Sequence, residues 1–69
     1  MAIIAQWSRG GTSHKMVQLV RNDEKKEPNR YQVHIDDMGM EDWVENLCLI
    51  GATNFFNAAV QMMKEADDD

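Results

Sequence analysis

Hydrophobic positions along this chain repeat every second residue in its first half and every third or fourth in its second. Residues 2–7 are an apolar run containing Ile3 and Ile4, and they end at Arg9-Gly10-Gly11-Thr12-Ser13. A glycine pair permits positive φ, so a turn is expected there and a strand before it. Residues 15–21 are a second strand, with Val17 and Leu19 on one face. Residues 22–29 are polar and contain Pro28, which marks a loop. Residues 30–36 alternate: Tyr31, Val33 and Ile35 point one way, and Arg30, Gln32, His34 and Asp36 the other. That is a half-buried strand.

Beyond Asp37 the period changes. Met40, Trp43, Val44, Leu47 and Cys48 follow the i, i+3, i+4, i+7, i+8 spacing of one helix face. Glu41, Asp42 and Glu45 fall near its start, where the macrodipole favours negative charge. Gly51 would end it as a C′ residue, and Thr53 would cap a second helix with Phe55, Phe56, Ala59, Val60 and Met63 on its apolar face. The pattern predicts an α+β fold: a short β-meander or ribbon, then two helices, in the order β-β-β-α-α. Residues 44–50 also fit a fourth strand. Residues 1–66 form a single small domain, with 1–29 as an N-terminal strand extension and 30–66 as a strand-helix-helix unit. Residues 67–69, three consecutive Asp, are expected to be a disordered acidic tail.

Sixty-nine residues bury a modest core, so a staple, metal or partner chain is expected to add stability. Cys48 is the single cysteine, which excludes an internal disulfide. His14, His34 and Cys48 lack the CxxC or HxxxH spacing of a zinc site, and Cys48 reads as a small buried hydrophobe. No nucleophile-base arrangement or phosphate-binding glycine loop is present, so no catalytic residue, metal or cofactor is assigned and an enzyme is not expected. Without a signal peptide or long apolar run, the chain reads as cytoplasmic, with no membrane partner.

Charge divides the chain. Residues 1–35 hold six basic and three acidic groups, residues 36–69 one basic and nine acidic, and the net charge is −5. A basic face toward an anionic partner, backed by acidic helices, is one reading of that split. A solvated surface with an acidic tail is the other.

The alternating strand, the acidic amphipathic helix, the Gly51 turn and the run Thr53-Asn54-Phe55-Phe56-Asn57-Ala58-Ala59-Val60-Gln61-Met62-Met63 together resemble the ribbon-helix-helix superfamily over about residues 30–66. The resemblance implies an intertwined homodimer whose paired strands enter the major groove of double-stranded DNA, and a role as a transcriptional repressor. It places Arg30, Gln32 and His34 as base-reading residues, and Arg and Gln suit bidentate pairing with guanine and adenine. Thr53 and Asn54 at the second helix, with Lys25 and Lys26 in the preceding loop, would contact phosphate. The alternative is an acidic protein-interaction module (an inhibitor, antirepressor or adaptor) that does not bind DNA and uses a sheet edge or the helical face. The total charge favours this alternative, because duplex binding requires several phosphates to be neutralised. The net +3 of residues 1–35 and the outward Arg30, Gln32 and His34 favour DNA binding, which is the function expected.

Overall fold

A computed structural model describes residues 1–66, so the expectation for residues 67–69 lies outside the described residues. Four strands, β1 (Ala2–Arg9), β2 (Lys15–Arg21), β3 (Tyr31–Asp37) and β4 (Met40–Leu47), precede one helix, α1 (Leu49–Ala66). The strands form one antiparallel sheet in the order β1-β2-β3-β4. The architecture is therefore β-β-β-β-α. This corrects the β-β-β-α-α order, and with it the ribbon-helix-helix-like arrangement of one strand and two interlocked helices.

The correction is local to residues 38–52. Met38 and Gly39 both have positive φ, 56° and 93°, and Asp37 pairs directly with Met40. That is a two-residue hairpin turn of the kind whose twist matches its flanking strands. Gly39 donates its N–H to Asp36 Oδ1 at 2.8 Å, which ties the turn to β3. Downstream, Val44 pairs with Val33 and Leu47 with Tyr31, so two residues of β4 face the single Gln32. This bulge, with Asn46 at φ 60°, brings Val44 and Leu47 to one face although they stand three apart. Three-residue spacing is also the signature of a helix face. The bulge thus reproduces a helical pattern in a strand.

Helix α1 begins at Leu49, so Gly51 lies in its first turn rather than beyond the end of an earlier helix. Cys48 supplies the cap: its carbonyl accepts from the Ala52 N–H at 2.8 Å and its Sγ from the Gly51 N–H at 3.3 Å. Cys48 is exposed, which corrects its reading as a core residue.

The helix lies across β2 and β3 on one side of the sheet. Val17 and Leu19 of β2, Tyr31 and Val33 of β3, and Ala52 and Ala59 of α1 form the buried core. Two alanines where the helix meets the sheet let the backbones approach closely. Ala5, Trp7, Ile35, Leu47, Phe56, Val60 and Met63 close the margins of this core. Trp43 and Phe55, expected inside, are exposed. Among the described residues no helix is long and apolar enough to cross a membrane.

Candidate functional site

The sheet face opposite the helix carries a polar row that crosses all four strands. Register aligns Gln6, Gln18, His34 and Trp43 side by side. Alternation turns these positions away from Val17, Val33 and the helix. Gln18 Nε2 donates to Gln6 Oε1 at 2.9 Å, and His34 Nδ1 stands 3.1 Å from Gln18 Oε1. On its other side, His34 Nε2 is 3.1 Å from Glu41 Oε1 of β4. A ring carrying both protons donates to both oxygens. A neutral ring keeps both contacts when the Gln18 carboxamide turns over and Gln6 turns with it.

Trp43 covers this row at the β4 end. Its ring stacks on His34 with centroids 4.1 Å apart and planes 9° from parallel. His34 is 8% exposed and Trp43 is 42% exposed, so one aromatic face rests on the histidine while the residue stays open to solvent. Glu41 shares this face and Glu45 follows on the same edge strand, while Asp42, paired with Ile35, turns to the helix side. Asp42 Oδ1 accepts from the Trp43 N–H at 3.0 Å, which occupies that amide with a side chain rather than a further strand. The corner combines an indole held in place with the carboxylates of Glu41 and Glu45. That combination suits a cationic side chain, attracted both by the ring face and by the acids.

The residues expected to read DNA are not assembled into one projecting triplet. Gln32 and His34 both lie on the central strand β3 and are buried, Gln32 at 5% exposure. Arg30 precedes β3, and its Nη2 donates to Asp23 Oδ1 at 3.1 Å. Arg21 Nε donates to the same oxygen at 2.7 Å and holds the Asp23 carboxyl below its ordinary value of 3.8. Lys25 Nζ reaches Asn46 Oδ1 at 2.7 Å, which pins the β2–β3 loop to the bulge of β4. Lys26 is exposed in that loop. Thr53 and Asn54 fall in the second turn of α1, where backbone amides belong to the helix's own hydrogen bonds. The basic half of the sequence is thus largely engaged with its own acids and amides.

Two further features were not legible in the sequence. The Tyr31 hydroxyl donates to Glu27 Oε1 at 2.8 Å, and this bond pushes the phenol above its ordinary 10.0. A groove of about 250 Å³ lies between the helix and β3, lined by Ile35, Phe55, Ala58, Ala59, Met62 and Met63. The periodicity of residues 55–63 marks an apolar helix face but not that part of it remains uncovered. Among the described residues no group of three or more His, Cys, Asp or Glu gathers as metal ligands would. No protein-family model matches the chain, and neither does any curated protein or solved structure.

Proposed function

We propose that this chain is a small protein-interaction module that docks a basic segment of a partner protein at the Trp43 corner of β4. The observation that carries this reading is the stack of Trp43 on the buried His34 beside Glu41, with Glu45 following on the same strand. A tryptophan already fixed by its neighbour loses little freedom when a partner covers it, and such residues dominate binding energy. The acids select the partner's sign. They favour lysine- or arginine-bearing protein and oppose phosphate, in keeping with the net charge of −5. They also discourage edge-to-edge pairing with an identical strand, which would set Glu41, Asp42 and Glu45 against a second set of acids.

The test is a calorimetric titration of the full chain with an arginine- and lysine-containing peptide and, separately, with a random duplex at low salt. Peptide binding that weakens about tenfold or more in Trp43→Ala supports the reading. Binding of the duplex in preference to the peptide contradicts it and revives the DNA-binding alternative. Peptide binding indifferent to Trp43→Ala places the site elsewhere and also contradicts it.

A further inference from the structure

The outer side of α1 presents an unusual surface for so charged a protein. Residues 46–63 hold no Asp, Glu, Lys, Arg or His, although 28% of the chain is charged. Within this stretch Leu49, Ile50, Phe55 and Met62 are exposed, Ile50 by 75% and Met62 by 70%. A helix packed by one face and wetted on the other normally carries charge on the wet side. Here the wet side offers Asn54, Asn57, Ala58 and Gln61 among apolar residues.

We infer that this face is a self-association surface, where α1 of one copy packs antiparallel on α1 of a second across a two-fold axis. Charge identifies the occupant. A two-fold contact sets the same patch of both copies together, and copies carrying −5 each repel wherever charged faces meet. The uncharged stretch removes that repulsion where the copies touch. The β4 edge, with its row of acids, would instead create it.

The residue pattern is self-complementary in the same sense. With the axis beside Ala58, Phe55 of one copy meets Met62 of the other, and small side chains at the centre let the helices approach. The antiparallel crossing also sets the helix dipoles head to tail. The groove beside Ile35, Phe55, Ala58 and Met62 then takes an apolar side chain of the second copy. Because the Trp43 corner lies on the opposite sheet face, pairing leaves it open. This inference does not depend on what that corner binds.

Sedimentation equilibrium of the full chain over the micromolar range tests the surface, with far-UV circular dichroism run on each variant. The expected result is a dimer whose dissociation constant rises at least about tenfold in Met62→Lys with the fold unchanged. Ala58→Glu and Ala58→Lys should each be monomeric alone and associate when mixed, because opposite charges then meet at the axis. Glu41→Gln should leave association untouched. A wild-type monomer throughout the range overturns the inference, as does a dimer indifferent to Met62→Lys. Failure of the two Ala58 variants to associate on mixing overturns the antiparallel arrangement about Ala58.

Discussion

Trp43 lies flat on His34, directly across the β3–β4 register, with ring centroids 4.1 Å apart. The contact joins the edge strand to the central one by side chains as well as by backbone. Replacing His34 with Ala removes the platform and two polar contacts, at Gln18 and Glu41. The stack is worth about 0.5–1.5 kcal/mol and each hydrogen bond about 1 kcal/mol, so a total loss of about 2.5–3.5 kcal/mol is expected. Urea unfolding measures it. The indole emission should shift to the red in the folded variant, and an unchanged midpoint and emission would mean that the row contributes nothing.

Gly51→Ala should stabilise the protein by about 0.5–1 kcal/mol, since alanine restricts the unfolded chain and favours helical backbone. Its added Cβ would stand 3.4 Å from Cys48 Sγ, an ordinary contact. Thermal melting distinguishes this from a glycine that terminates a helix with positive φ, where the same substitution lowers Tm.

The β3–β4 turn gives a paired prediction. Met38 has φ 56°, where asparagine is better tolerated, so Met38→Asn should gain about 0.5 kcal/mol. Gly39→Ala should lose about 1 kcal/mol or more from backbone strain at φ 93°, since no atom lies near enough to clash. Both are read from denaturant midpoints. Opposite signs would show that the turn is not the two-residue hairpin described.

These same residues explain what the sequence conceals. Strands β2 and β3 are legible because Val17, Leu19, Tyr31, Val33 and Ile35 alternate without interruption, and β1 because its apolar run ends at a glycine pair. The hairpin at Met38-Gly39 is hidden because methionine is a rare first residue for it. Strand β4 shows in the sequence only as an alternative over residues 44–50, because its bulge at Glu45 and Asn46 restores Val44 and Leu47 to one face at helical spacing. Once residues 40–48 are read as helix, Gly51 becomes a terminator and Cys48 a core position. The Trp43–His34 contact depends on β4 being a strand, so it went unread with it. His34 on the outward face of β3 was legible, but its burial was not, because burial comes from both neighbouring strands.

Two titrations should bracket stability from either side. The Asp23 carboxyl is held below its ordinary value by Arg21, so its contribution is complete above the ordinary carboxylate range and is lost as pH falls through the lowered value. The Tyr31 phenol is raised by its bond to Glu27, so its contribution is complete below 10.0 and is lost as pH rises through the raised value. Unfolding free energies against pH should show the acid-side loss diminished in Asp23→Asn and the alkaline-side loss diminished in Tyr31→Phe. Curves that superpose on wild type at either end would remove the corresponding interaction from the account.

The most direct test of the Trp43 corner as a docking site for basic protein is an amide and indole chemical-shift titration with an arginine- and lysine-containing peptide. The Trp43 indole and the amides of residues 41–45 are expected to shift first and most, while Lys25, Lys26 and Arg30 stay unperturbed. Shifts concentrated at Lys25, Lys26 and Arg30 on adding duplex DNA, with Trp43 silent toward the peptide, would contradict it.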